Sequence, residues 1–426
     1  MLKLNSIPAK VFDAQDAQDI KVKVNSASGS PREISRKEIV ATGRLVACEY
    51  FGNMFNKRPN QIEKYNSRLA DKPFDYATLS RKHQEKKLMF CAAQVAKITG
   101  KEAPASFDEV KNNGAYATDT LFLRVMAEID RDILDPLFFS VIDAVGMDLM
   151  QWEPAAFGAT KEITVRSNDV FRWEDSSWGS GKSTSKNYLY AKTITLTPKV
   201  YACNATIKWY QDIVAGDAGR YYAAIMLGMY NKIYAMNIAA LKKAVADGKY
   251  IPAGLTSATY TTGNWITITD KVAAANGVRV DDLMAVGTRS ALANLLPVDG
   301  TGGAMTGLQY GLGEQWFTNG YLPKAGGIDL FPVSPVIVPG TQNSTLDTID
   351  TGNNIYIFAK GLYKPMYGVY MEGTPITLTA TPGGTGNAQG TADFTIDINA
   401  GAMFDIQPVF ASKVGVVTSV YPTTGA

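Results

Sequence analysis

The residues most able to do chemistry lie in the stretch WEDSSWGSGKSTSKNYLY, residues 173–190, which contains GSGKST. A phosphate-binding loop has the pattern G-x-x-x-x-G-K-[ST] between a buried strand and a helix, whose N-terminus helps to hold the phosphates. Gly181, Lys182 and Ser183 match the end of this pattern, but Ser176 stands in place of its first glycine. The residues before it are charged and aromatic, which is wrong for a buried strand. The pattern therefore argues against a nucleotide site.

The same stretch predicts a long β-hairpin instead. Glu162 to Trp173 forms the outgoing strand, residues 179–185 form a Gly/Ser tip, and Tyr188 to Thr197 returns with the period-two alternation of a strand. Such a hairpin cannot bury both faces on its own body. Its tryptophans and mixed charges are typical of groups that meet another subunit.

Other chemistry is poorly supported by the residue types. The single histidine, His83, lies in SRKHQEKK, which we interpret as a polar helical surface, and one histidine excludes any site that needs two. No G-x-S-x-G elbow occurs. Three cysteines, far apart, predict neither a disulfide framework nor a zinc site. We therefore expect no catalytic, cofactor-binding or metal residue, no cofactor and no enzymatic activity. The residues weighed and set aside are Cys48, Cys91, Cys203 and the adjacent acids Glu174–Asp175 and Asp281–Asp282.

Charge is distributed unevenly along the 426 residues. Residues 1–100 hold 18 Lys+Arg against 10 Asp+Glu, a balance of +8, and the other 326 hold 24 against 30, a balance of −6, which sums to the net +2. This asymmetry predicts a basic N-terminal arm on a nearly neutral body. The opening MLKLNSIPAKV lacks the apolar run of a signal peptide, and no run of about 18 apolar residues predicts a membrane span.

The elements that must position the hairpin include three predicted helices. Asp119 is a predicted N-cap for a helix that ends at Asp135–Pro136, because the residue before proline resists the helical region. A second helix is predicted from Leu137 to about Met150. The strongest helix spans 217–247 and is about 45 Å long at ~1.5 Å per residue. Its predicted apolar stripe is Tyr222, Ile225, Met229, Ile233, Met236, Ala240 and Ala244.

An α/β stretch follows the long helix. WITITDKVAAANG predicts a strand end and then a short helix, DDLMAVG predicts a strand, and TRSALANLL predicts a helix capped by Thr288. From Asn354 onward the alternation predicts mainly strands.

This succession resembles the Hong Kong 97-type major capsid protein of tailed bacteriophages over residues 119–426. The resemblance depends on ITVRSNDVFRWEDSSWGSGKSTSKNYLYAKTITLTPKVYACNATIKWYQDIV, the helix at 217–247, DDLMAVGTRSALANLL, and GGIDLFPVSPVIVPG followed by NIYIFAKGLYKPMYGVYME. It implies an α+β fold with an N-terminal arm, an E-loop hairpin, a peripheral (P) domain built on a long spine helix, and an α/β axial (A) domain.

The resemblance also implies a division of the chain and a set of contact residues. The expected parts are an N-terminal arm or extension (1–118), a helical connector (119–160), the E-loop hairpin (161–200), the P-domain (201–250 and 346–426, spine helix 217–247) and the A-domain (251–345). The inter-subunit residues it implies are Arg172, Trp173, Glu174, Asp175, Trp178, Lys182 and Lys186 in the E-loop, and Thr381, Gly383, Gly384 and Asn387 at the P-domain tip. Some relatives form isopeptide cross-links from an E-loop lysine, but for Lys182 or Lys186 we favour an ordinary surface lysine.

The implied function is self-assembly, through hexamers and pentamers, into an icosahedral shell around double-stranded DNA that is bound without sequence preference. Scaffold, portal and decoration proteins are further implied partners, and the implied location is the virion, assembled in the host bacterial cytoplasm. Two alternatives stay open: an encapsulin-like nanocompartment shell, against which the long segment 1–118 counts, and a phosphate-loop nucleotide enzyme.

Overall fold

The computed structural model describes residues 17–24, 32–56, 76–146, 150–166, 191–209, 213, 218–246, 251–295, 319–333, 336–338, 347–360, 364–373, 375–383, 395–409 and 413–419. In this part of the chain helices and strands are mixed, in agreement with the expected α+β class. The helices are α1 (Arg36–Asn56), α2 (Tyr76–Thr99), α3 (Phe107–Asn112), α4 (Thr120–Gly146), α5 (Ala218–Ala246), α6 (Thr262–Asn276) and α7 (Arg289–Ala293).

The described strands run from the N-terminal region almost to the end of the chain. They are β1 (Lys21–Val24), β2 (Arg32–Ser35), β3 (Met150–Ala155), β4 (Lys161–Arg166), β5 (Ala191–Leu196), β6 (Lys199–Lys208), β7 (Thr256–Ser257), β8 (Leu283–Thr288), β9 (Lys324–Ala325), β10 (Ile328–Val333), β11 (Val336–Ile337), β12 (Thr348–Ile349), β13 (Asn354–Ala359), β14 (Met366–Met371), β15 (Ile376–Pro382), β16 (Thr395–Pro408) and β17 (Gly415–Thr418).

The chain divides into two compact units. The first comprises Met1–Met147, Lys199–Ile233 and Met371–Phe404, and the second comprises Asp148–Pro198, Tyr234–Tyr370 and Asp405–Ala426. The described part of residues 1–118 is mainly helical, and its helices α1 and α2 pack on α4 within the first unit. A β-carbon on Gly43 would lie 2.4 Å from Ile133 Cδ1, so the glycine lets α1 approach α4 closely.

Helix α4 is the centre of the first unit. Asp119 caps it as predicted, because its Oδ1 accepts hydrogen bonds from the amides of Leu121 and Phe122. One face contacts α1 and α2, and α4 also packs against β15. Its buried apolar residues recur at helical spacing: Phe122, Leu123, Met126, Ile129, Ile133, Leu134, Leu137 and Val141.

The prediction that this helix ends at Asp135–Pro136 is wrong, because α4 continues through Pro136 to Gly146. A proline inside a helix has no amide for the carbonyl four residues earlier, which here is the carbonyl of Asp132. Arg44 of α1 supplies the missing donors: its Nε and Nη2 donate to that carbonyl at 3.1 and 2.7 Å. A tertiary contact thus satisfies the group that proline leaves unpaired, and the helix is not interrupted.

Three antiparallel strands complete the first unit. The β16 segment from Thr395 to Phe404 lies between β15 and β6, with Ala380, Ile398 and Ala205 in one cross-strand row. Alternation buries one face of β15 and β16 and leaves the other exposed or half-exposed. Helix α5, whose N-terminal half belongs to this unit, follows only part of the predicted stripe: Tyr222, Ile233 and Ala244 are buried, whereas Ile225, Met229, Met236 and Ala240 are half-buried. Ala223, Met226 and Tyr234 are buried instead.

The second unit contains a six-stranded sheet in the order β7-β17-β13-β8-β10-β9. Strand β8 pairs in parallel with β10 and antiparallel with β13, and every one of its residues is buried. Helix α7 follows β8 directly, and Thr288 caps it as predicted by accepting a hydrogen bond from the Ala291 amide. Two of the sheet's strands, 354–359 and 415–418, come from the segment 346–426, which is expected to belong to the P-domain.

Helix α6 corrects another prediction, since the WITIT stretch is helical rather than a strand end. Thr261 caps its start, and Gly277 ends it in the left-handed region at φ 66°. The side chains that face the sheet follow helical spacing: Trp265, Ile268, Thr269, Val272, Ala273 and Asn276. Packing on β13 and β17 and two good caps therefore outweigh the strand preference of β-branched residues.

Candidate functional site

Most of the predicted contact residues belong to the E-loop hairpin, and the structure describes the stem of this hairpin. Strands β4 and β5 pair antiparallel, as the sequence predicts, and the structure places Ile163 opposite Ile194. The two isoleucines pack against a buried cluster of Ala155, Leu196 and Val369. The other face of the ribbon is polar and exposed: Glu162, Thr164, Thr193 and Thr195. Apolar packing on one face therefore anchors the stem and leaves its other face available.

The predicted tip residues lie outside the described residues. These are Arg172, Trp173, Glu174, Asp175, Trp178, Lys182 and Lys186, all within 167–190. Their role as inter-subunit contacts, and the identity of the GSGKST stretch as a hairpin tip, stay predictions. The structure does show that the chain enters this segment from one strand and leaves it into another.

A tight turn at the base of the hairpin exposes an aromatic side chain. The turn joins β3 to β4, is closed by a 3.0 Å hydrogen bond from the Ala159 amide to the Ala156 carbonyl, and contains Gly158 at φ 74°. Phe157 in this turn is 80% exposed, the largest exposure among the large apolar side chains of the described residues. An exposed aromatic on a hydrogen-bonded turn has the character of an interface residue.

Two of the four predicted P-domain tip residues are described, and the structure places both at the end of β15. Thr381 is exposed and lies opposite Asp397 of β16. Gly383 donates its amide to the Thr395 carbonyl at 2.8 Å, and a β-carbon there would lie 2.7 Å from Thr395 Oγ1. A glycine is therefore required where the two strands approach. Gly384 and Asn387 lie outside the described residues.

Thr381 belongs to a polar face of the β15-β16-β6 sheet. The Thr206 hydroxyl donates to Asp397 Oδ1 at 2.6 Å, and Thr377 donates to the Gly401 carbonyl at 3.2 Å. Val200 at the start of β6 is 66% exposed. This polar sheet face carries small hydroxyl and amide side chains, namely Thr377, Thr379, Thr381, Asn399, Asn204 and Thr206. It suits a close, hydrogen-bonded contact with another protein surface.

A buried charged cluster in the first unit was not predicted. Lys87 Nζ donates to Asp130 Oδ1 at 2.9 Å and to the Tyr222 hydroxyl at 3.1 Å, and Tyr222 donates to Asp130 Oδ1 at 2.6 Å. The side chains of Lys87 and Asp130 are only 2% and 1% exposed. Burial, followed by the nearby Asp130 charge, raises the pKa of Tyr222 well above its usual value. The phenol thus stays a neutral donor to the carboxylate.

His83 is part of this cluster, and its assignment to a polar surface is wrong. The ring is 1% exposed, and its Nε2 lies 3.5 Å from the Tyr222 hydroxyl. Burial, with the charges of Lys87 and Lys86, lowers the pKa of His83 to about 3, so the ring is neutral at ordinary pH. The signal in the sequence is a helical stripe that contains polar residues before it becomes apolar: Ser80, His83, Gln84, Lys87 and Cys91, all buried.

The basic N-terminal segment is partly neutralised within the unit. Arg36 donates from Nε and Nη2 to Asp132 Oδ2 at 3.1 and 2.6 Å, and Arg44 is fully buried on the carbonyl of the same residue. These arginines, together with Lys87, bind acidic or carbonyl groups of α4. Three basic residues of the predicted arm therefore contribute to the fold.

Within the described residues no three His, Cys, Asp or Glu side chains are grouped so that they could hold a metal ion. No helix within the same ranges is long and apolar enough to cross a membrane.

Comparisons with known proteins give matches at the level of structure only. No family model matches the sequence, and no curated protein matches it. Solved structures similar to the chain include the mature capsid of bacteriophage PhiM1, with 11% identity, TM-score 0.41, and coverage of 66% of this chain and 87% of that one. The capsid of the cyanophage P-SCSP1u has 10% identity, TM-score 0.40, and 64% and 87% coverage. The head of Helicobacter pylori bacteriophage KHP40 has 10% identity, TM-score 0.41, and 66% and 90% coverage.

These matches are capsid and head structures of phages.

Proposed function

We propose that this chain is a major capsid protein of the Hong Kong 97 type, many copies of which assemble into an icosahedral shell that encloses phage double-stranded DNA. The observation that carries the proposal is the succession of elements. An antiparallel stem, β4–β5, leads into the ten-residue strand β6, the 29-residue helix α5, and then a six-stranded sheet with returning strands. The resemblance in the sequence depends on this same order.

The stem supports assembly because it is incomplete within one subunit. Strands β4 and β5 form a two-stranded sheet that pairs with no third strand among the described residues. A two-stranded ribbon is marginally stable in water unless something packs on it. Here the apolar face of the stem, which includes Leu196, packs against Ala155 and Val369. The polar face and both edges remain for a neighbouring copy.

Further exposed groups support the same function. Phe157 and Val200, 80% and 66% exposed, are apolar side chains on a hydrogen-bonded turn and on a strand. Burying such a side chain at an interface contributes about 1.5–3 kcal/mol, and many modest contacts add up around a closed shell. In this proposal the subunit is structural and does not catalyse a reaction. The hairpin residues from Arg172 to Lys186 and the β15 end at Thr381 and Gly383 contact neighbouring copies.

The proposed partners are other copies of the chain in hexamers and pentamers, and packaged DNA held without sequence preference. Scaffold, portal and decoration proteins are further proposed partners, and assembly takes place in the host cytoplasm before the shell becomes part of the virion. Because Arg36, Arg44 and Lys87 are bound inside the fold, any contact of the basic segment with DNA or an acidic neighbour must come from its other lysines and arginines.

The test is assembly of the purified full chain, followed by sedimentation and negative-stain microscopy. We expect closed shells from the wild-type chain, and folded but unassembled subunits when residues 174–185 are replaced by a short Gly-Ser turn. Circular dichroism confirms folding, and Lys97→Ala, which changes an exposed residue of α2, serves as the matched control. Unchanged assembly of the shortened hairpin would contradict the role of the E-loop.

The same preparation separates the two alternatives. Shells that carry a co-purifying enzyme would favour a nanocompartment. Calorimetric binding of ATP that disappears in Lys182→Ala would favour a nucleotide enzyme and overturn the proposal.

A further inference from the structure

A small, partly open cavity lies in the first unit beside the charged cluster. Its volume is about 40 Å³. It is bounded by residues of α2, α4, α5, β6 and β16 and by the connection at Ile213. The lining residues are Gln84, Lys87, Met126, Asp130, Ile207, Ile213, Tyr221 and Ile398.

Two buried polar atoms of this lining have no hydrogen-bond partner among the described residues. They are Gln84 Oε1 and the Tyr221 hydroxyl. The Gln84 amide is oriented by its other end, because Nε2 donates to the Ile213 carbonyl at 3.0 Å. Its oxygen therefore needs a donor, while the tyrosine hydroxyl can both donate and accept.

The charged groups of the lining can also form further hydrogen bonds. An ammonium group has three protons, and the described hydrogen bonds of Lys87 use two, to Asp130 and to Tyr222. Both described bonds to Asp130 end on Oδ1, so its second oxygen is available as an acceptor. The cavity thus presents two acceptors, one donor and one group that can be either.

We infer that this cavity is a hydration site that binds one to three ordered water molecules. Water bridges Gln84, Tyr221 and the Lys87–Asp130 pair. A water molecule needs about 10–15 Å³ of such space and two to four polar partners, and this cavity meets both conditions. A lone cation would lie beside Lys87 and a lone anion beside Asp130. A neutral molecule that both donates and accepts is therefore the occupant that these groups select.

Water in this cavity also links three helices. Gln84 and Lys87 belong to α2, Asp130 to α4 and Tyr221 to α5, so a bridged network joins three helices through one set of bonds. Buried waters of this kind are part of the structure and are costly to remove.

The direction in which one substitution shifts the urea midpoint of unfolding tests the inference. If water bonds the Tyr221 hydroxyl, Tyr221→Phe lowers the urea concentration at the midpoint of unfolding, because a satisfied bond is lost. If the cavity is dry, removal of an unpaired buried hydroxyl leaves the midpoint unchanged or raises it, and the inference is overturned. Tyr321→Phe, at a half-exposed tyrosine outside the cavity, gives the baseline for loss of a phenol hydroxyl.

A high-resolution map of the full chain provides an independent measurement. We expect density within hydrogen-bond distance of both Gln84 Oε1 and the Tyr221 hydroxyl. An empty cavity in a map that resolves other buried waters overturns the inference. Both results are independent of whether the chain assembles.

Discussion

The helical layer of α1, α2 and α4 and the six-stranded sheet of the second unit use charge in opposite ways. In the helical layer Lys87 and Asp130 meet at 2.9 Å with almost no exposure. At the sheet, β8 is buried throughout, and a comparable ion pair of Asp329 with Lys360 lies at the margin with side chains 29% and 38% exposed. Hydrogen bonds from the side chains of Lys360 and Lys324 lower the pKa of Asp329.

The difference shows that the same pair of residue types has different consequences in different surroundings. A surface pair is screened by water and adds little to stability. A buried pair has a large desolvation cost, so either partner becomes very unfavourable when the other is removed. The buried Lys87–Asp130 pair links α2 to α4 and should be sensitive to the loss of either partner, whereas the pair at the sheet margin should add little to stability.

The largest expected effect comes from removing one charge of the buried pair. Lys87→Met leaves Asp130 buried without its cation and should reduce the free energy of unfolding by about 3–5 kcal/mol. The matched substitution at the sheet margin, Lys360→Met, should cost about 0–1 kcal/mol. Urea denaturation of both variants measures the difference.

Equal losses in the two variants would contradict this comparison. A double variant, Lys87→Met with Asp130→Leu, should recover much of the stability, because an apolar replacement removes both desolvation costs together.

The second prediction concerns pH and uses the chain's single histidine. An unfolded histidine takes up its proton near pH 6.5, whereas the pKa of His83 is lowered to about 3. Between these values the unfolded chain binds one more proton than the folded chain. The free energy of unfolding should therefore fall as pH falls through this window, by up to about 1.4 kcal/mol per pH unit.

The difference between wild type and His83→Gln isolates this contribution, since the carboxylates contribute equally to both. Urea denaturation from about pH 4.5 to 7.5 should show a steeper acid loss for the wild type. Parallel profiles would show that His83 does not stay neutral in the folded chain.

The smallest expected effect tests how α4 tolerates its proline. Arg44→Met leaves the Asp132 carbonyl without the donors that Pro136 cannot supply. In a Pro136→Ala background the helix amide returns, so the same substitution at Arg44 should cost about 1 kcal/mol less. A double-mutant cycle in urea measures this coupling energy, and strictly additive losses would disprove the link.

These residues also show what the sequence alone predicts. Local patterns predict strand β8, the Thr288 cap of α7, the Asp119 cap of α4 and the long helix α5, because each depends on neighbours a few residues away. The antiparallel pairing of β4 and β5 likewise follows from their alternation, whereas their register is known only from the structure. The E-loop residues from Arg172 to Lys186 stay predictions.

The errors have a different origin. Pro136 is tolerated because of Arg44, 92 positions earlier in the chain, and His83 is buried because Lys87, Asp130 and Tyr222 satisfy each other around it. The WITIT stretch is helical because α6 packs on β13 and β17, strands that follow it in sequence. Local preference cannot report a partner that only the tertiary fold supplies.

The three cysteines have a practical consequence. Cys48 and Cys91 are buried, and burial raises the pKa of Cys91 to about 12, whereas Cys203 on β6 is exposed. Thiol reagents need access and a thiolate, so a maleimide dye will attach to β6 and spare the helical layer. The unmodified chain thus has its own labelling position on β6, and the fluorescence of a dye attached there can report the proposed contact between copies.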